Sequence, residues 1–190
     1  MVSPKHYFDR DEQLSSNWKG YSENYSESKP IKYYLNKNLV KSGYAWISLS
    51  DIPKGHETIP LHKIYLPRAG GTGNDSQIIG VPFYGEPNSV CSYTYLVVGY
   101  SEKRHNFSAS ECENILSYMK SKFFRYMVSV KKKTQNTTRD LFQFVPMQDF
   151  TANSDIDWSK SIAEIDAQLY AKYDLSADEI TFIDSMIKPM

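Results

Sequence analysis

The chain has 190 residues, 22 basic against 22 acidic side chains, 41% apolar residues and 23% charged ones. That length admits one sizeable core without forcing two, and that composition excludes wholesale disorder. No run approaches the roughly 18 apolar residues that suggest a membrane span. The opening Met1-Val2-Ser3-Pro4-Lys5-His6 lacks the apolar centre of a signal peptide. Cys91 and Cys112 have no metal-type spacing, so a cytoplasmic, reduced protein with two small buried thiols is expected.

Residues 1–30 are rich in Ser, Asn and Tyr without a sustained period, and they read as a polar lead-in or linker. Short strand-like runs follow at residues 44–49, 63–66, 77–81 and 92–98, each bounded by Gly, Pro, Asn or Asp. A long helix is expected near residues 109–130, with Ile115, Leu116, Met119, Phe123, Tyr126, Met127 and Val130 on one face. Ser108 with Glu111, or Ser110 with Glu113, can form its capping box. Lys120, Lys122 and Arg125 fall on the rest of its surface. Residues 141–145 form another strand-like run, closed by Pro146.

The tail carries two stripes, Ile162, Ile165, Leu169 and Tyr173, then Ile180, Ile183 and Ile187, with a capping box at Ser176-Ala177-Asp178-Glu179. Together these elements predict an α+β fold with a mixed or antiparallel sheet, one long helix and a C-terminal helical hairpin. The expected division is a lead-in over 1–30, a main domain over 31–150 and a helical tail over 151–190.

Charge is segregated although the net is zero. Residues 114–139 hold seven basic side chains and no acid, whereas residues 149–190 hold nine acids against Lys160, Lys172 and Lys188. Such asymmetry accompanies either a basic contact surface or two segments that neutralise each other in the fold.

Several chemistries fail on their own motifs. Adenine-N6 methylation needs an Asn/Asp-Pro-Pro-aromatic loop, in which an aromatic ring stacks on the flipped base, and this chain has no Pro-Pro pair. Ala69-Gly70-Gly71-Thr72-Gly73-Asn74 follows a strand but precedes no helical pattern, and it lacks the Gly-Lys-Ser/Thr of a phosphate loop. It reads as a connection between strands, or as a loop lying on a nucleic-acid backbone with Arg68 at its base. Asp11 with Glu27-Ser28-Lys29 has the order of a metal-dependent nuclease, but the triplet lies in the polar lead-in and not on an apolar strand. His6, His56, His62 and His105 make no ligand pair at helical spacing, and no Gly-x-Ser-x-Gly occurs. The expectation is a chain with no catalytic residue, no metal and no cofactor of its own.

The basic loop is the most informative stretch. Lys131, Lys132 and Lys133 can neutralise phosphates, and Arg139 can make a forked contact. Thr134, Gln135, Asn136, Thr137 and Thr138 interleave with them and suit base edges or phosphate oxygens. A solvated loop would look the same. Tyr44 and Tyr84 are candidate stacking residues with nothing to direct them.

Five blocks also carry a resemblance. Gly43-Tyr44-Ala45-Trp46-Ile47 leads to Lys63-Ile64-Tyr65-Leu66-Pro67-Arg68-Ala69, then Ile79-Gly80 to Pro87-Asn88-Ser89-Val90-Cys91-Ser92-Tyr93-Thr94-Tyr95-Leu96-Val97-Val98-Gly99. Ser117-Tyr118-Met119-Lys120-Ser121-Lys122-Phe123-Phe124-Arg125 and Phe144-Val145-Pro146-Met147-Gln148-Asp149-Phe150 follow, and the ending runs from Leu169-Tyr170 to Ile187-Lys188-Pro189-Met190. Over roughly residues 40–190 these blocks resemble the C-terminal region of bacterial restriction-modification adenine-N6 methyltransferases, including those fused to an endonuclease. The resemblance implies a target-recognition domain for double-stranded DNA. It further implies an upstream methyltransferase domain in the same polypeptide, where S-adenosylmethionine and the catalytic loop would reside. It assigns no catalytic or base-reading residue. A docking module, using the apolar stripes of the acidic tail, is the alternative of another class.

Overall fold

The strand-like runs of the first hundred residues pair into two small sheets in the computed structural model, which describes residues 2–15, 17–70, 77–99 and 106–190. Strands β1 (Ile31–Tyr34), β2 (Tyr44–Ile47) and β5 (Ser89–Cys91) form one sheet in the order β2-β1-β5. β1 pairs antiparallel to β2, with Lys32 opposite Trp46 and Tyr34 opposite Tyr44, and parallel to β5. β3 (Lys63–Pro67), β4 (Phe83–Gly85) and β6 (Tyr95–Val98) form the other sheet, in the order β4-β3-β6. With the helices α1 (Ala109–Lys120), α2 (Lys122–Ser129), α3 (Ile162–Lys172) and α4 (Ala177–Met186), the fold is α+β. The chain divides into two compact units, Met1–Leu66 with Tyr84–Phe107, and Pro67–Phe83 with Ser108–Met190. No helix among the described residues is long and apolar enough to cross a membrane.

The first unit is built on alternation. In β1 the side chains of Ile31 and Tyr33 are buried and those of Lys32 and Tyr34 half-exposed, as the two-residue period of a strand requires. Residues 1–30 are part of this unit and not a lead-in to it. Ser3 N donates to Val97 O at 2.8 Å, Val97 N donates back to Ser3 Oγ at 2.9 Å, and Ser22 bridges Trp46. Phe8 and Leu14 are buried, at roughly 1.5–3 kcal/mol of stabilisation each. The Asp9 carboxylate, itself buried, accepts from Leu14 N at 2.8 Å and fixes the turn between them.

The second unit is helical, and its largest departure from expectation is a break. Residues 109–130 do not form one helix: Ser121 is extended, with φ −62° and ψ 151°. It ends α1 by donating to Tyr118 O and starts α2 by accepting from Phe124 N at 3.1 Å. Asp166 of α3 completes the new N-terminus, taking Lys122 N at 3.0 Å and Phe123 N at 2.9 Å, which serves two donors that a helix start leaves orphaned. Upstream, Ser108 with Glu111 forms the capping box of α1, so Ser110 is not the cap. Arg125 is fully buried beside Asp166 instead of lying on the surface, and Lys122 Nζ reaches Asp184 at 2.6 Å.

The tail is the expected hairpin. Capping boxes at Ser161 with Glu164 and at Ser176 with Glu179 start α3 and α4. Asp174 turns the chain between them with φ 52°, a left-handed position that Asp tolerates better than most residues. Two predicted strands are absent. Residues 141–145 lie mostly in a 3-10 turn, Arg139–Phe144, that buries Leu141 alone. Residues 77–81 are irregular, although Ile78 and Ile79 are buried.

Candidate nucleic-acid interface

The ten residues singled out as DNA contacts all belong to the second unit, and its backbone brings their two segments together. Thr137 N donates to Arg68 O at 2.7 Å, Ala69 bridges Asn136 in antiparallel fashion, and Gly70 N donates to Gln135 O at 3.4 Å. The polar stretch 135–137 therefore runs as a short ribbon against residues 68–70, at the foot of the glycine-rich segment. Gly71, Thr72, Gly73 and Asn74 of that segment lie outside the described residues, as does His105.

Lys132 locks the foot of this segment. Its ammonium donates to the carbonyl oxygens of Gly70 and Ile78, one on each side of the segment, and the residue is 4% exposed. Ile78 has φ 62°, and Ile79 N donates to Gln77 O at 2.6 Å across it, a three-residue turn that a β-branched residue adopts only under strain. Gly70 and Gly80 pass backbone to backbone: a Cβ on Gly70 would lie 2.2 Å from Gly80 N. Gly70 is needed for this approach, and Gly80 for another, since its Cβ would lie 2.6 Å from Pro67 Cβ.

These facts correct part of the expected set. Lys132 is buried and donates to backbone carbonyls, which sets it apart from the exposed members of the set. Thr137 is also buried, and its hydroxyl has no hydrogen-bond partner among the described residues. Lys131 is half-buried, with its ammonium 3.2 Å from Asp140 O, 3.7 Å from Asp140 Oδ2 and 5.8 Å from the centre of the Phe144 ring. Thr138 is exposed, but its hydroxyl donates to Asp140, and that bond with the Lys131 charge holds the Asp140 carboxyl below its usual range. Arg68 is half-buried. Exposed side chains remain at Lys133, Thr134, Gln135, Asn136 and Arg139, and neither Lys133 nor Arg139 makes an ion pair among the described residues.

Charge segregation is thus partly internal. Asp184 holds Lys122, Asp166 faces the buried Arg125, and Asp140 attends Lys131, so acids beyond the basic stretch face three of its seven cations. Sequence reasoning missed Ile78 and Gly80. The recurrence of glycine on both sides of the segment was the available signal for Gly80, whereas nothing marks Ile78.

A second concentration of titratable side chains lies in the first unit. Lys32 Nζ and Tyr34 Oη each donate to Glu86, at 2.7 Å to different carboxylate oxygens, and Lys32 sits 4.3 Å from the centre of the Tyr44 ring. Burial pushes the Tyr34 hydroxyl up to about 12. Burial opposes ionisation of Glu86 as well, but the bonds from Lys32 and Tyr34 win and hold its carboxyl below the ordinary range. Both carboxylate oxygens are engaged, which makes this cluster a structural ion pair. Glu27 and Lys29 lie in the turn before β1, where Ser26 bridges Lys29, and no group of three or more His, Cys, Asp or Glu among the described residues could hold a metal ion.

No family model, no curated protein and no solved structure matches this chain.

Proposed function

We propose that the chain is a recognition module for double-stranded DNA and that the edge formed by residues 133–136, with Arg139, is its contact surface. The observation that carries this reading is the ribbon between residues 68–70 and 135–137, which turns two isolated polar stretches into one rigid edge. Lys133 and Arg139 supply charge for phosphates, and Gln135 and Asn136 each offer a donor and an acceptor side by side, as the major-groove edge of adenine requires. Strain at Ile78, restrained by Lys132, fits a surface whose geometry is held for a ligand. The wider proposal, on the resemblance stated above, is a restriction-modification adenine-N6 methyltransferase whose S-adenosylmethionine site and catalytic loop belong to another domain.

The test is duplex binding against salt concentration, for the wild type and for a Lys133→Ala, Arg139→Ala double variant. If both cations meet phosphates, the log–log salt slope falls by about 0.9 per lost contact, on every duplex alike. An unchanged slope removes this edge from the interface.

A further inference from the structure

The apolar stripes of the acidic tail are mostly spent inside the second unit: Ile165, Leu169, Ile183 and Ile187 are all buried. What they leave is a groove of about 380 Å³ between α2 and α4, lined by Phe123, Tyr126, Met127, Leu175, Phe182 and Ile183 together with Asp178 and Glu179. Phe182 is 54% exposed and meets Tyr126 edge to face, with ring centres 6.1 Å apart. Met186, one turn further on the same side of α4, is 42% exposed. A wall of this kind lacks the polar groups that orient a small molecule and has instead the aromatic anchors and the adaptable methionine of a helix-binding groove.

The charges say which helix. Asp178 and Glu179 are exposed in the first turn of α4, and Lys122, the basic residue in the first turn of α2, is already held by Asp184. The groove is therefore lined by apolar side chains and two acids with no base, and the Glu179 carboxylate already accepts from Ser176 N and Oγ at 2.8 Å, which leaves Asp178 as the open charge. A helix of the ten residues of α4 is about 15 Å long, enough to lie beside two turns of another helix. We propose that this groove seats an amphipathic helix of a partner polypeptide, with large apolar side chains against Phe182, Tyr126 and Met127 and a lysine or arginine against Asp178. The docking is independent of the DNA-contacting edge.

The experiment titrates the full chain into a fluorescent helical peptide with leucine on one face and lysine on the other, and into its counterpart with glutamate in place of lysine. The leucine–lysine peptide binds and the leucine–glutamate peptide does not. Phe182→Ala weakens binding about tenfold, and Asp178→Lys weakens the lysine peptide while admitting the glutamate one. The thermal melt checks each variant for folding, since both side chains are exposed. Equal binding of the two peptides, or no effect of either substitution, overturns the proposal. Self-association of the chain that Phe182→Ala abolishes also overturns it, in favour of a second copy as the occupant.

Discussion

Among the described residues each unit encloses a lysine, and the two differ in what they hold. In the first unit Lys63 is 2% exposed and donates to Leu61 O at 2.7 Å, Glu86 O at 3.1 Å, Ile59 O at 3.3 Å and Ser89 Oγ at 3.4 Å. Its partners belong to the turn before β3, to the connection between β4 and β5 and to the first residue of β5, so it ties the strands to their loops. In the second unit Lys132 donates to two carbonyls that flank the glycine-rich segment, beside an exposed polar ribbon. The same chemistry, an ammonium dissolved in carbonyl oxygens, builds a core in one place and shapes a surface in the other. A buried lysine is thus no measure of function until its partners are named.

Substitution can break this comparison. The largest effect is expected from Lys63→Met, which removes four hydrogen bonds at once and leaves Leu61 O without its donor, while Asn88 N, Ser89 Oγ and Tyr65 Oη still reach Ile59 O, Glu86 O and Ser89 Oγ, and should cost the first unit about 3–5 kcal/mol. Urea denaturation followed through Trp18 and Trp46 reads that unit, with Trp158 reporting on the other. A loss under about 1 kcal/mol would mean that the carbonyls find other donors. Lys132→Met should cost less, about 2–3 kcal/mol in the Trp158 transition. The salt slope of DNA binding should stay at its wild-type value, because a buried ammonium releases no counterion from DNA. A drop in slope would put Lys132 back on a phosphate.

A sharper contrast comes from the exposed side of the same ribbon. Gln135→Ala or Asn136→Ala should cost roughly 1–3 kcal/mol on a preferred duplex and little on random DNA. Selection from randomised duplexes with each variant decides it: identical motifs at identical stringency would move base reading elsewhere. The smallest effect is acid sensitivity in the first unit. Glu86 is held below its ordinary 4.5, so its contribution is present above that pH and disappears as the pH falls through the lowered folded value. Because the pair is partly solvated, Glu86→Gln should flatten the acid limb of the stability curve by at most about 0.5 kcal/mol.

Local chemistry was legible where it is short-range. The capping boxes at Ser108 and Ser176, the α3–α4 hairpin, β2 and β3 all follow from a few adjacent residues. The break at Ser121 was hidden because the apolar spacing from Ile115 to Val130 continues across it, and its second cap, Asp166, comes from a distant helix. Residues 141–145 have a strand's composition without a partner to pair with. Residues 1–30 hide their role because a backbone bridge such as Val2 to Val98 leaves no side-chain period. In the basic segment the sequence does not separate the buried side chains from the exposed ones. Lys131, Lys132 and Lys133 are identical in composition, and only the position of Gly70 and Ile78 separates the buried one from its neighbours.

The path of the chain has a consequence for exchange between proteins. Residues 67–83 are cut out of the sequence of the first unit and belong to the second, and it is their Arg68, Ala69 and Gly70 that pair with residues 135–137. A graft of residues 131–139 into another scaffold would carry the side chains of the edge but leave behind residues 68–70, which pair with it, and both carbonyls that Lys132 grips. Recombination that changes this surface by swapping one continuous piece must therefore take everything from Pro67 to at least Arg139, including β4, β5 and β6. Point changes at the exposed Lys133, Thr134, Gln135 and Asn136, by contrast, replace side chains that fill no part of the core.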